Sequence, residues 1–263
     1  NTTGQFNVAL GYKALDANTT ASNNTAVGYE SLVDNTTGAQ NTAVGFRSLY
    51  NNTTASNNTA VGQDALYTNT TGANNVALGH SALVYNTTGA NNTAVGKSAL
   101  VANTTGTENV AMGANALDAN TEGNFNVALG NYALTTDTKG GRNVAIGRSA
   151  LTSQNFTSAT DSYNTAVGYT AGAAVTTGVN NTFVGGLAGD ALTVGNDNDA
   201  FGVSALTSDT KGSKSTAIGR GALNAQNFTT ATDAFNVAVG YIAGGAVSTG
   251  VQNTLIGGLA GDA

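Results

Sequence analysis

The chain has 263 residues, no proline, cysteine or tryptophan, only 9% charged residues and a net charge of −6. The lack of cysteine excludes disulfides and thiolate metal sites, and the acidic balance argues against binding to the phosphate backbone of nucleic acids. No apolar segment approaches the ~18 residues that span a membrane, so we expect no membrane insertion. A polar, weakly charged and glycine-rich chain of this kind is typical of repeat proteins.

A motif of the form Asn-Thr-Ala-Val-Gly recurs along the whole chain, and its glycine returns every 17 residues in most units. Counted from the first asparagine, the unit reads N-T-A-V-G-x-x-A-L-x-x-N-T-T-G-x-x, and these positions 1–17 are used throughout. Position 5 is always glycine, as at Gly45, Gly62 and Gly79. We expect these glycines to adopt a positive φ, or to allow a tight corner where a Cβ would clash.

Two insertions interrupt the period, because the glycine spacing rises to 21 residues after Gly147 and after Gly219. The four extra residues fall within 152–163 and within 224–235, and we expect them to bulge outward without breaking the stack. Residues 136–191 and 208–263 align as duplicated blocks. We therefore interpret residues 1–263 as a single repeat array and as a slice of a longer fibre.

The unit length indicates the fold. A 17-residue unit is too short for a helix pair, whereas two short strands and two turns would fill one coil of a β-solenoid. The sequence thus predicts an all-β fold, a β-solenoid or β-roll of fifteen 17-residue coils. Each coil carries two apolar positions, 4 and 9. One can fill the interior and the other then needs an external partner, which predicts a parallel homotrimer that is either intertwined or packed side by side.

A correlated exchange predicts what lies in the interior. Where position 9 is glycine instead of leucine, as at Gly172 and Gly189, position 12 changes from asparagine to Val175 and Leu192. A lost buried leucine would leave a cavity costing roughly 2–5 kcal/mol, so both positions are expected to face one core. Position 12 should then form a buried, hydrogen-bonded ladder in the ordinary units, at Asn35, Asn69, Asn86 and Asn103.

Asn41–Gly45, followed by Ser48-Leu49 and Asn52–Thr54, resembles the repeats of phage tail-fibre proteins. It is also similar to the N-S-V-A-I-G motif in head domains of trimeric autotransporter adhesins. The resemblance implies a trimeric β-roll stalk or head on a virion tail fibre or a cell surface. We therefore expect a structural fibre segment that supports host-cell attachment and has itself as its main partner.

The sequence carries no pattern typical of an enzyme. The single histidine, His80, lies at position 6, which varies freely, and Asn196–Asp199 lacks the glutamate and spacing of a calcium loop. No phosphate-binding loop or paired carboxylate is apparent, so no catalytic residue, metal or cofactor is predicted.

Two alternative functions remain open. One is a glycan-binding module that recognises host polysaccharide through exposed aromatic residues on its side surface. The sequence favours the simpler interpretation that these residues cover the surface or plug gaps at the insertions. The candidate residues are Tyr12, Tyr29, Phe46, Phe156, Tyr163, Phe228 and Phe235. The other is ice binding through threonine arrays, which the adjacent pair Thr36-Thr37 disfavours because neighbouring side chains in a strand point to opposite faces.

Overall fold

The computed structural model describes residues 1–262, and within that range it is all-β with no helix. The chain divides into two compact units, Asn1–Asn126 and Val127–Ala263. Each is a parallel β-solenoid in which one coil corresponds to one 17-residue repeat, apart from the two longer coils. The predicted all-β solenoid of about fifteen coils is thereby confirmed.

The first unit contains seven strands of three residues, one in each coil. Each strand covers positions 2–4 and pairs in parallel with the next, so that Ala43 lies beside Ala60 and Ala60 beside Ala77. The strands are β1 (Val8–Leu10), β2 (Thr25–Val27), β3 (Thr42–Val44), β4 (Thr59–Val61), β5 (Val76–Leu78), β6 (Thr93–Val95) and β7 (Val110–Met112).

The second unit repeats this ladder and adds two short strand pairs. The ladder strands are β8 (Val127–Leu129), β10 (Val144–Ile146), β12 (Thr165–Val167), β13 (Thr182–Val184), β14 (Asp199–Phe201), β16 (Thr216–Ile218), β18 (Val237–Val239) and β19 (Thr254–Ile256). The additional pairs are β9 (Gly140–Gly141) with β11 (Thr160–Asp161), and β15 (Gly212–Ser213) with β17 (Thr232–Asp233). The expectation of two strands in every coil was wrong, because among residues 1–262 a second strand forms only beside the insertions.

The insertions lie on the surface and leave the stack intact. In the first, Lys139 N donates to Phe156 O, and pairing resumes between Gly140 and Thr160. The intervening residues 157–159 are exposed. In the second, residues 229–231 are likewise exposed just before β17.

Turns close each coil through residues in the left-handed region at positions 7, 9 and 17, as at Asp64 (φ 54°), Leu66 (φ 53°) and Asn74 (φ 60°). This conformation disfavours side chains with a Cβ, and a leucine there is uncommon. Leu66 is fully buried, so burial of its side chain offsets the backbone strain. The interior of a coil is formed by alanine at position 3, alanine or serine at position 8, leucine at position 9 and a polar residue at position 12.

Candidate functional surfaces

Asparagines at position 12 form a continuous amide ladder inside the first unit. Asn35, Asn69, Asn86 and Asn103 are all fully buried. Nδ2 of Asn86 donates to Oδ1 of Asn69 at 2.7 Å and to Gly89 O at 2.9 Å, while Asn103 donates to Asn86 at 2.7 Å. Each amide thus donates to the asparagine side chain of the preceding coil and to a carbonyl oxygen in the turn of its own coil. These hydrogen bonds offset the cost of burying a polar group.

Asparagines at position 1 form a second interior ladder with a different geometry. Asn75 N donates to Oδ1 of Asn58 at 2.9 Å, and Nδ2 of Asn75 donates to Gly89 O at 2.9 Å. Gly89 O therefore accepts from both ladders, since it also accepts from Asn86. The two ladders together join strand and turn in each coil.

The position 5 glycines form the corner where the strand ends. Gly45 has φ 139° and Gly62 has φ 135°, and a Cβ at either would lie 2.5–2.6 Å from the carbonyl oxygen of the next glycine in the column. Gly79 has the same geometry, and a Cβ there would lie 2.5 Å from Gly96 O. Backbone packing between successive coils therefore requires glycine here.

In the second unit a phenylalanine ring fills space left by missing leucines. Phe183 replaces alanine at position 3 and is fully buried. A Cβ at Gly172 would lie 2.8 Å from its Cδ2, and one at Gly189 would lie 2.5 Å from its Cε1. Val175 and Leu192 are also fully buried at position 12. Position 3 thus belongs to the same exchange as positions 9 and 12, and Phe183 is visible in the sequence as an exception to alanine there.

Three predicted contact residues form one exposed stack. The Tyr12 and Tyr29 ring centroids are 5.2 Å apart, and those of Tyr29 and Phe46 are 5.3 Å apart, with interplanar angles of 16° and 11°. Arg47 lies over Phe46 at 4.8 Å and pairs with Glu30 at 3.3 Å. Burial within the stack raises the pKa of Tyr29 above its ordinary value, and the neighbouring Glu30 raises it further.

The aromatic residues of the insertions separate into two pairs. Phe156 and Phe228 are only 7% and 6% exposed, so their assignment as surface contact residues is wrong. Their rings pack inward at the point where each insertion leaves the coil. Tyr163 and Phe235 are exposed, and each has a cationic side chain over its ring. Arg142 lies 5.9 Å from the Tyr163 ring centroid and Lys214 lies 5.1 Å from that of Phe235.

An apolar stripe runs along the outer face of the strands at position 4. In a strand, positions 2 and 4 point away from the buried alanine at position 3. Val61, Leu78 and Met112 of the first unit are 38%, 37% and 45% exposed. Phe201 and Ile218 of the second unit are exposed in the same way. Of the two apolar columns, position 9 thus fills the interior, whereas the position 4 side chains are exposed or half-buried on the outer face.

A groove of about 400 Å³ in the first unit was not predicted from the sequence. Its walls come from positions 7, 10 and 11 of four successive coils, and its lining residues are Arg47, Asp64, Tyr67, Ser81, Val84, Tyr85, Ser98 and Val101. Comparison of position 10 between units could have indicated it, because tyrosine at that position gives way to valine between Tyr67 and Val84.

The described residues contain no group of three or more histidine, cysteine, aspartate or glutamate side chains arranged to hold a metal ion. His80 is exposed. Among residues 1–262, no helix has the length and apolarity needed to cross a bilayer.

Comparisons with known proteins give no assignment: no protein-family model matches the chain, and no curated protein matches it. Function is therefore inferred from the chain's own geometry.

Proposed function

We propose that this chain is a structural fibre segment of a phage tail fibre or surface adhesin. It acts as a rigid shaft that supports host-cell attachment from the virion or the cell surface. The resemblance of Asn41–Gly45 and the residues after it to tail-fibre and adhesin repeats supports this setting. The proposed assembly is a parallel homotrimer.

The observation that carries the proposal is the apolar stripe at position 4. Large contiguous apolar patches are rare on monomeric soluble proteins and mark interaction sites. The stripe repeats in register with the strands, so a copy of the same chain lying parallel presents a matching column of apolar side chains. Closed rotational symmetry around one axis would cover the stripe on every copy.

The interior supports a mechanical function. Fully buried amide ladders connect consecutive coils, and every described coil of the first unit also pairs through its strand. In the first unit the buried side-chain polar atoms find hydrogen-bond partners, with Oδ1 of Asn120 as the exception. A polar interior that is hydrogen-bonded in this way is rigid and specifies one register. Such a segment resists bending without needing a large hydrophobic core.

Sedimentation velocity tests the assembly. The wild-type chain is expected to sediment with three times the monomer mass of 26.0 kDa. The double variant Val61→Lys/Leu78→Lys places charges on adjacent strands of the stripe and should yield the monomer. Both side chains are exposed within the chain, so its own interior is left unchanged.

A matched control adds the same charge elsewhere. Gln63→Lys/His80→Lys alters exposed position 6, where Lys97 already occurs, and should remain trimeric. A wild-type chain that stays monomeric at micromolar concentration would falsify the trimer, as would dissociation of the control to the same extent.

A further inference from the structure

The groove beside Tyr67 has the composition of a carbohydrate site. We propose that it binds a pyranose ring of a neutral polysaccharide, in addition to the mechanical function of the segment. Its volume of about 400 Å³ lies within the ~300–1,000 Å³ range of small-molecule pockets. It is open to solvent and is lined by four successive coils, as suits a site for a continuing polymer.

The ring of Tyr67 supplies the stacking surface. Tyr50 and Tyr67 stack at position 10 of adjacent coils, with centroids 5.0 Å apart and planes 23° apart. The next residue in this column is Val84, which also lines the groove. The stack therefore ends at Tyr67, and the second face of its ring lies on the side where a smaller side chain leaves space. The apolar C–H face of a pyranose can continue the stack there, as one more ring.

Polar groups surround this aromatic face. Asp64 supplies carboxylate acceptors for sugar hydroxyls, and Ser81 and Ser98 supply hydroxyls along the groove. Tyr85 is 58% exposed and forms a wall that carries a further hydroxyl. An apolar floor with a few polar groups at its edge is the usual arrangement of a small-molecule site.

The charges favour a neutral sugar over an acidic one. Asp64 lies in the groove, and the chain carries a net charge of −6. The guanidinium of Arg47 is already engaged, because its Nε pairs with Glu30 at 3.3 Å. Desolvation is the largest single influence on this guanidinium and lowers its pKa, but the hydrogen bond to Glu30 and the charge of that carboxylate together outweigh it, so the pKa of Arg47 is raised. With Glu30 paired to Arg47 and Asp64 in the same groove, the two carboxylates outweigh the one cation, and this disfavours a sugar carboxylate.

Affinity electrophoresis of the native chain tests the proposal, in gels containing dextran, mannan, galactan or starch, with alginate as the acidic comparison. We expect retardation by at least one neutral polysaccharide and none by alginate. Tyr67→Ala removes the stacking face and should weaken binding about tenfold, equivalent to about 1.4 kcal/mol.

The deciding variant is Val84→Tyr. It extends the tyrosine column by one ring, as Tyr67 already extends Tyr50, so the coil can accept it. The added ring fills the groove and should abolish retardation while Tyr67 remains in place. Tyr132→Ala removes an exposed tyrosine of the second unit and should leave binding unchanged.

Absence of retardation in all four neutral gels would overturn the site, as would equal retardation of wild type and Val84→Tyr. In that second case Tyr12, Tyr29 and Phe46 become the candidate contacts. Retardation by alginate alone would overturn the assignment to a neutral sugar. The groove uses positions 7, 10 and 11 and the proposed trimer interface uses position 4, so sedimentation reports on the shaft independently.

Discussion

Two regions of the molecule fill the same interior in different ways. In the first unit, each coil from residue 41 to residue 125 combines a small alanine at position 3 with leucine at position 9 and asparagine at position 12. Between residues 164 and 197 of the second unit, leucine is replaced by glycine and asparagine by an apolar residue. Phe183 then fills the space beside both glycines. One aromatic ring thus substitutes for two leucines.

The exchange also changes backbone strain. Position 9 is in the left-handed region in both regions, with φ 53° at Leu83 and φ 59° at Gly172. Glycine adopts this conformation without the steric cost that leucine has there. In the first unit, burial of the leucine side chain offsets the strain. In the second unit, glycine avoids the strain, and Phe183 in the strand supplies the apolar volume instead.

The amide ladder constrains where the exchange can occur. Leu192 has no oxygen that could accept a hydrogen bond from the next coil. Position 12 of that coil is Asp209, whose carboxylate donates nothing and so needs no such acceptor. It accepts from Gly212 N, Phe228 N and Gln226 Nε2. Gln226 then ends the column, because its Oε1 accepts from Asn236 at position 1 instead of from position 12. Asp209 begins this short polar column and Gln226 ends it, and both side chains are hydrogen-bonded. The column nevertheless continues to the apolar Leu192 on one side and Val247 on the other.

The largest expected effect follows from removing the ring. Phe183→Ala leaves the space beside Gly172 and Gly189 unfilled and should lower the free energy of unfolding by about 3–5 kcal/mol. Chemical denaturation followed by circular dichroism measures the loss. The triple variant Phe183→Ala/Gly172→Leu/Gly189→Leu restores the residues found at positions 3 and 9 in the first unit and should recover more than half of it. A triple variant no more stable than the single one would mean that the ring does not occupy the leucine space.

A smaller loss is expected from interrupting the ladder in the first unit. Asn86→Val leaves Oδ1 of Asn69 without its 2.7 Å donor and takes one acceptor from Asn103. Unsatisfied buried groups cost about 1–3 kcal/mol each, so we expect a loss of about 2–4 kcal/mol in the same denaturation assay.

The control is Asn51→Val at position 11, where Asn51 is half-buried and the residue varies between neighbouring coils (Asp34, Asn51, Thr68), and it should change stability by less than about 0.5 kcal/mol. If Asn86→Val were as mild as this control, the ladder would contribute packing volume and little through its hydrogen bonds. That outcome would also mean that hydrogen bonding does not determine why aspartate and glutamine, Asp209 and Gln226, stand at the ends of the short column.

The sequence was sufficient to predict the fold class, because a fixed 17-residue period permits few architectures. It was less informative about which apolar side chains point into the coil and which point outward. Position 4 and position 9 are both apolar, and only the alternation around Ala60 in the strand places Val61 outside and leaves Leu66 inside. Phe156 and Phe228 were misassigned because aromatic residues in an insertion look exposed until the backbone turns them inward. The groove at Tyr67 is lined by residues from positions 7, 10 and 11, so no single position of the repeat predicts it.

The smallest expected effect concerns hydrogen bonds between threonines of adjacent coils. Oγ1 of Thr87 donates to Thr104 O at 3.0 Å, but the same carbonyl also accepts from the backbone N–H groups of Thr87 and Thr88 at 3.0 and 3.2 Å. Thr87→Val keeps the shape of the side chain and leaves no acceptor unsatisfied, so the loss should be only about 0.5–1 kcal/mol. Thr88→Val alters the exposed neighbour and should have no measurable effect. A loss at Thr87 as large as that at Asn86 would mean that hydroxyl and amide columns contribute equally. It would also mean that an acceptor with other donors, such as Thr104 O, loses as much as Oδ1 of Asn69, which loses its 2.7 Å donor.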